Sequence, residues 1–338
     1  MDPISYLYGA IVATRGWLFD RGLLASHTAD LHTLCVGNLA VGGTGKSPLV
    51  SYLMALLATK APVAMLSRGY GRTTTGYLEV QTDSRPEHVG DEPLMIKRAH
   101  PQLPVAVCKN RLEGCQKLKA SYPALQTIIL DDAFQYRRLV PSLALLLTTY
   151  QRPYSQDHFM PWGTLRDTVR QAKRAEAIIV TKCPENLTAE QAESLAQSLR
   201  PSPSLALLFS TIAYRPPQPL LPTGNPLALV NGQPIHALAA IAHPELFLDH
   251  LASLGPLAHT TLLRDHARFT PTTLVKLDRS AQAGHAIITT EKDAVRLRPH
   301  LANYPHLAHN CFVLPIAIHW LLESEQQLKS LLARHGLL

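Results

Sequence analysis

Between Val36 and Ser47 the chain reads V-G-N-L-A-V-G-G-T-G-K-S, an apolar run passing into glycines and then a Lys-Ser pair. Glycines let backbone N–H groups close around phosphate oxygens, and a helix starting at the pair adds the positive end of its dipole. In such a cradle Gly42, Gly43, Thr44 and Gly45 wrap the phosphates of a nucleotide. Lys46 reaches the β- and γ-phosphates, and Ser47 offers its hydroxyl to Mg²⁺. Pro48 falls in a first helical turn, where no N–H partner is needed. The strict pattern G-x-x-x-x-G-K-S/T fails at one point, because Ala40 stands at its first glycine. A glycine-rich turn with a chance Lys-Ser is the bland alternative.

A phosphate cradle also needs a carboxylate from a neighbouring strand. The run Thr127-Ile128-Ile129-Leu130-Asp131-Asp132 delivers two to the C-terminal edge of a sheet, where α/β proteins bind ligands. Asp131 or Asp132 would hold Mg²⁺ directly or through water; a solvated turn or helix cap is the competing reading. Guanine recognition by N-K-x-D is not supported. Thr181-Lys182-Cys183-Pro184 and Thr290-Glu291-Lys292-Asp293 both lack an Asp two residues after the Lys. ATP is the nucleotide expected.

Positioning these groups requires a sheet. Apolar runs at Leu34–Val36, Val63–Leu66, Val105–Cys108, Thr127–Leu130, Leu143–Leu147, Ile178–Thr181 and Leu205–Phe209 alternate with helical patterns. Strands apolar on both faces and separated by helices form parallel sheets with helices on both sides. Five prolines (Pro216, Pro217, Pro219, Pro222, Pro226) then break regular structure, so 215–226 reads as a connection between lobes. Alternation resumes on a smaller scale over 227–338. Strands are expected at Ala237–Ala242, ending near Arg264, at Ala286–Thr289 and at Phe312–Ile318; helices at Pro244–Ser253 and Leu321–Arg334, the last able to pack back on the core 25–214.

The bulk numbers agree with a folded, anion-binding protein. In 338 residues, 46% are apolar and 17% charged, which argues against disorder. The +7 surplus suits an anionic partner. Aromatic residues are only 6% and no run interleaves them with Lys and Arg, so nucleic acid is not the expected partner. Five scattered cysteines without a C-x-x-C fit reduced thiols in the cytoplasm. No secretory signal pattern opens the chain, and export is not expected. Residues 1–24 are apolar but interrupted by Arg15, Asp20 and Arg21, short of the roughly 18–20 apolar residues that span a bilayer. An amphipathic helix lying in the membrane interface and a helix packed on its own domain both fit.

Taken in order, these motifs resemble the tetraacyldisaccharide 4′-kinase family of lipid A biosynthesis. The resemblance is carried by Val36–Ser47, S-R-G-Y-G-R at Ser67–Arg72, G-D-E-P at Gly90–Pro93 and D-D-x-x-Q at Asp131–Gln135. It continues through P-x-G-x-L-R-D/E at Pro161–Asp167, D-H at Asp265–His266 and T-T-E-K-D-A-V-R-L at Thr289–Leu297. It implies a P-loop NTPase-type α/β/α sandwich with a second, smaller α/β lobe. It also implies transfer of the γ-phosphate of ATP, with Mg²⁺, to the 4′-hydroxyl of a tetraacylated glucosamine disaccharide 1-phosphate.

The resemblance puts the catalytic base on Asp91, an assisting His on His266, and the protein on the cytoplasmic face of the inner membrane. A monomer is expected. Glu92 becomes a neighbour of the metal or its waters. Arg68, Tyr70 and Arg72, on a glycine-hinged loop after a strand, suit an anionic headgroup; Gln135, Arg166 and Arg111 are further substrate candidates. Ala133 and Tyr136 depart from the D-D-G-F/L-Q-H that many members carry, and Arg264-Asp265-His266-Ala267 lacks the usual Pro before D-H. A nucleotide switch or metallochaperone GTPase would need guanine readers and closely spaced His/Cys ligands, which are missing. A dethiobiotin-synthetase-type ligase would leave S-R-G-Y-G-R and the apolar N-terminus unexplained.

Overall fold

The computed structural model describes residues 3–199, 205–222 and 232–338. The strands are β1 (His32–Asn38), β2 (Val63–Ser67), β3 (Leu78–Glu79), β4 (Val105–Val107), β5 (Thr127–Asp131), β6 (Leu143–Thr149), β7 (Ala177–Thr181), β8 (Ala206–Tyr214), β9 (Gln218–Pro219), β10 (Ile235–Ala239), β11 (Leu257–Leu262), β12 (Ala286–Thr290), β13 (Cys311–Leu314) and β14 (Ile316–Leu321). The helices are α1 (Pro3–Asp20), α2 (Lys46–Ala58), α3 (Pro86–Val89), α4 (Asp91–Ala99), α5 (Arg111–Ser121), α6 (Ala189–Leu199), α7 (Glu245–Leu254), α8 (Pro271–Gln282), α9 (Glu291–Leu297), α10 (Pro305–Asn310) and α11 (Ser324–Arg334). The chain divides into two compact units: residues to Ile212 together with Ile318–Leu338, and Ala213–Ala317.

In the first unit the sheet order is β14-β8-β7-β6-β1-β5-β2-β4-β3. β1 lies parallel to β5 and β6, and the parallel pairing runs on through β2, β4, β7 and β8. β3 is an antiparallel edge. Strands in the middle of a parallel sheet are covered on both faces, so they are apolar throughout. Cys35, Ala64, Leu66, Ile128 and Leu130 pack with Leu118 of α5 and with Ala192 and Ala196 of α6. Leu34, Val36, Met65 and Ile129, of the other parity, are equally buried, as are Leu49, Leu53 and Met54 of α2. Val36 pairs with Asp131, so the loops after β1 and β5 open side by side at the C-terminal edge.

α1 packs on this unit through Ser5, Gly9, Gly16 and Phe19. Its small residues allow close approach: a side chain at Gly9 would start 2.7 Å from Phe159. The helix is apolar on its outer side too, with Ile4, Leu7, Ile11 and Trp17 exposed. Among the described residues no helix is long and apolar enough to cross a membrane.

The second unit is a sheet of order β11-β10-β12-β13-β9, parallel except for β9 at one edge. One face packs on Leu274 and Leu277 of α8 and Leu307 of α10, the other on Phe247 and Leu251 of α7. Two details differ from the sequence reading. The run Phe312–Ile318 is two strands, because Pro315 has no N–H for the ladder; β13 stays in this sheet and β14 joins the larger one. The proline-rich stretch holds regular structure in β9, whose Gln218 and Pro219 pair with Val313 and Phe312 at a sheet edge, where a missing donor is tolerated. Residues 223–226 of that stretch lie outside the described residues.

Candidate active site

The chain leaves β1 at buried Asn38 and enters α2 at Lys46. Gly45 caps the helix at φ 80°, ψ 18°, left-handed backbone that aims the following N–H groups into the loop. A side chain there would also begin 3.4 Å from Thr181. Polar contacts fix the loop from two strands and from the segment around Thr164. Asn38 Nδ2 donates to Thr44 Oγ1 at 2.7 Å, and Thr181 Oγ1 at the end of β7 donates to Thr44 O at 3.0 Å. On the outer side Val41 N donates to Thr164 O and Arg166 N to Leu39 O, each at 2.8 Å. The P-x-G-x-L-R segment is therefore laced along the start of the cradle.

The two carboxylates after β5 stand in different surroundings. Asp131 is buried and accepts from Ser67 Oγ at 2.9 Å. Burial, reinforced by the charges of Glu92 and Asp132, pushes its carboxyl up to about 7. Burial also acts to raise Asp132, but hydrogen bonds from Arg166 and the charges of Lys46, Arg166 and Arg111 hold it well below the usual carboxylate range. Arg166 grips Asp132 with both Nη atoms, one of them at 2.8 Å, and also reaches Asn38 Oδ1. Lys46 Nζ lies 3.7 Å from Asp132 Oδ1. Arg166 is thus a brace between the β1 and β5 loops. Gln135 extends that brace, donating to Asn38 O at 2.6 Å. Arg111 is buried, donating to Cys108 O at 2.7 Å and to Asp131 O at 3.3 Å.

The departure at 133 has a local explanation. The left-handed residue in this turn is Asp132 at φ 48°, so position 133 does not need glycine. Tyr136 donates its hydroxyl to Asn110 Oδ1 at 2.8 Å.

S-R-G-Y-G-R and G-D-E-P are packed backbone to backbone. Gly90 sits at φ 91°, ψ 153°, and a side chain there would start 3.2 Å from Tyr70 O. Gly90 is also the N-cap of α4, so Asp91 and Glu92 occupy the first turn of a helix, where carboxylates are favoured. Both are half-buried. The Ser67–Asp131 hydrogen bond and the influence of Glu92 on Asp131 tie this motif to the end of β5. Arg68 and Tyr70 point to solvent, with Tyr70 74% exposed. Arg72 turns inward instead, donating to Gly76 O at 2.5 Å and closing its own loop.

Lys182 carries a signal missed in the sequence. At φ 55° just after β7, its Nζ lies 3.8 Å from where a Gly43 side chain would begin. A second cation beside the cradle was legible only as a Lys following a strand. In the second unit, His266 stands at φ 58° after β11, its Nε2 3.0 Å from Lys292 Nζ. Lys292 also reaches Asp265 at 3.1 Å. Asp293, fully buried beneath, accepts from Ala240 N at 2.9 Å and Thr290 Oγ1 at 2.8 Å.

The donors in the first unit fit Mg²⁺. Ser47 at the head of α2 and the Asp131, Asp132 and Glu92 carboxylates are hard oxygen ligands, and the charges of Glu92 and Asp132 add to burial in raising Asp131. No group of three or more His, Cys, Asp or Glu among the described residues could hold a metal by itself. Mg²⁺ is in general bound through one or two protein oxygens, waters and substrate phosphates.

A parallel sheet with a glycine cradle between β1 and α2, and carboxylates on the adjacent β5, defines a P-loop nucleotide-binding protein of the kinase type. The family model for tetraacyldisaccharide-1-P 4′-kinase matches residues 1–336, and the chain belongs to that family. It is 35% identical to the tetraacyldisaccharide 4′-kinase of Bacteroides thetaiotaomicron, over 96% of this chain and 89% of that one. It is 38% identical to that of Flavobacterium johnsoniae, over 88% and 86%. The ATP complex of LpxK from Aquifex aeolicus superposes with a TM-score of 0.76 at 26% identity, over 98% of this chain and 97% of that one.

Proposed function

We infer that the protein transfers the γ-phosphate of ATP to the 4′-hydroxyl of a tetraacylated glucosamine disaccharide 1-phosphate. The observation carrying this is the joined construction of the cradle, the β5 carboxylates and the Gly90–Asp91 helix start within one unit, in a member of this family. A sugar hydroxyl is a poor nucleophile, and Asp91 takes its proton as the phosphoryl group moves. His266 carries the assisting role that the family resemblance implies for it. Lys46 neutralises charge on the transferring phosphoryl group, and Lys182 adds a second cation beside the loop. Ser47, Asp131, Asp132 and Glu92 would hold Mg²⁺ directly or through its waters, and the ion would supply positive charge against the phosphates.

Arg166 and Gln135 keep the β5 loop registered on β1. Arg68 and Tyr70, exposed on their glycine-hinged loop, meet the acceptor headgroup. The enzyme works as a monomer on the cytoplasmic surface of the inner membrane, with the outer face of α1 dipping among lipid chains. Mass spectrometry of the acceptor after incubation with ATP and Mg²⁺ tests the reading. A gain of one phosphate is expected; ATP hydrolysis with an unmodified acceptor would refute it.

A further inference from the structure

We propose that Lys292, within T-T-E-K-D-A-V-R-L, is a positioning residue that fixes His266 as the tautomer protonated on Nδ1; this rests on the assisting role given to His266 above. Lys292 Nζ lies 3.0 Å from His266 Nε2. An ammonium has three donors and no acceptor, so Nε2 is the accepting nitrogen and the ring carries its proton on Nδ1. The partner of one ring nitrogen thus decides what the other can do. Here it leaves Nδ1–H as the hydrogen that an assisting imidazole presents to a carboxylate base.

Asp265 supplies the competing influence. Its Oδ1 lies 3.1 Å from Lys292 Nζ and 3.9 Å from His266 Nε2. A carboxylate beside Nε2 favours a proton there, and the ammonium, in contact with both groups, reverses that preference. Lys292 is the least exposed of the three, at 17% against 33% for His266 and 34% for Asp265, so water competes least for its N–H groups.

The rest of the motif holds the two residues against each other. Thr290 caps α9 by accepting from Asp293 N, which sets Lys292 in the first turn. A cation there runs against the helix dipole, the kind of local conflict that marks a functional position. Buried Asp293 accepts from Ala240 N at 2.9 Å, and His266 N donates to Ala240 O at 3.3 Å. Arg296, ion-paired with Asp293, donates to Ala240 O at 3.2 Å and to Ala267 O at 2.9 Å. Helix α9 and the turn carrying His266 therefore share one anchor, the backbone of Ala240. His266 itself sits at φ 58°, which a non-glycine residue holds where its surroundings impose it.

Long-range proton–nitrogen correlation spectroscopy of the full-length protein reads the tautomer, with His266 assigned among the 16 histidines by its loss in His266→Ala. The unmodified protein should show Nδ1–H. Lys292→Met keeps the stem and removes the donor. It should shift the ring to Nε2–H and lower turnover roughly 10²-fold, the low end for an acid–base group, with KM for ATP within a factor of about two. Lys292→Arg restores N–H donors and should recover the Nδ1–H signal and most of the turnover. Asp265→Asn should keep Nδ1–H, since the ammonium still donates. An Nε2–H ring in the unmodified protein overturns the proposal, and so does a Lys292→Met ring that stays Nδ1–H, whatever happens to turnover. A tautomer that changes with turnover unmoved would leave the assignment standing and sink the assisting role of His266. A protein that transfers no phosphate with its Nδ1–H ring in place would sink the kinase reading alone.

Discussion

Replacing Arg166 by Gln should loosen the joint between the β1 and β5 loops. The change removes two charge-assisted hydrogen bonds to Asp132 and one contact to Asn38 Oδ1. Breaking one side of a buried ion pair costs about 3–5 kcal/mol. Here the side chains keep 22% and 29% exposure, and Lys46 remains 3.7 Å from Asp132, so the lower end applies, about 3 kcal/mol. At roughly 2–4 °C per kcal/mol for a unit of this size, the melting temperature of nucleotide-free protein falls by about 6–12 °C. Arg166→Lys keeps the charge without the fork and should recover part of that loss. The decisive readout is a double-mutant cycle of Arg166→Gln with Asp132→Asn by thermal or urea unfolding. A coupling of about 2 kcal/mol or more is expected, and one below about 0.5 kcal/mol would refute the brace.

Lys46→Ala should lower turnover by about 10²-fold or more while leaving a folded protein, because a fixed cation is lost where charge develops; near-normal turnover would remove the cradle from the chemistry. Asp131, raised to about 7, binds a proton in the folded state that the unfolded chain, at 3.8, has released. Between about pH 4 and 7 that proton is favoured by folding, so the contribution of Asp131 to stability declines as pH rises, by up to about 1.4 kcal/mol per unit. Asp131→Asn should flatten this component of a urea-midpoint profile of the nucleotide-free protein; an unchanged slope would assign it elsewhere. Ile4, Leu7 and Ile11 are exposed by 64%, 64% and 60%, so changing all three to Ser should release the protein from anionic vesicles without unfolding it. Undiminished co-sedimentation would place the lipid contact off α1.

Much of the first unit was legible because its signals are local. An apolar run ending in Asp131-Asp132 has few uses besides a buried parallel strand, and G-G-T-G-K-S fixes the strand–loop–helix order around it. Partners distant in sequence were less accessible. Nothing in P-x-G-x-L-R announces that Arg166 would brace Asp132, 34 residues away, and hold Asn38 across 128. Arg72 and Arg68 look alike in sequence, yet one closes its own loop and the other faces solvent. Pro315 shows the limit of apolar periodicity, since a run that reads as one strand feeds two sheets. Asp91 alone reads as a loop acid before a proline, and only Gly90 at φ 91° turns it into the head of a helix.

The proton acceptor is the claim on which the chemistry rests, and rapid-quench single-turnover kinetics of Asp91→Asn with saturating ATP and acceptor tests it most directly. Asn keeps the shape and the helix start but cannot take the proton. The phosphoryl-transfer step should slow by about 10²–10⁴-fold with ATP affinity nearly unchanged. On the role proposed for His266, His266→Ala should be slow as well, and the double variant little worse than the slower single one. A transfer rate for Asp91→Asn within a few-fold of the unmodified protein would contradict the account.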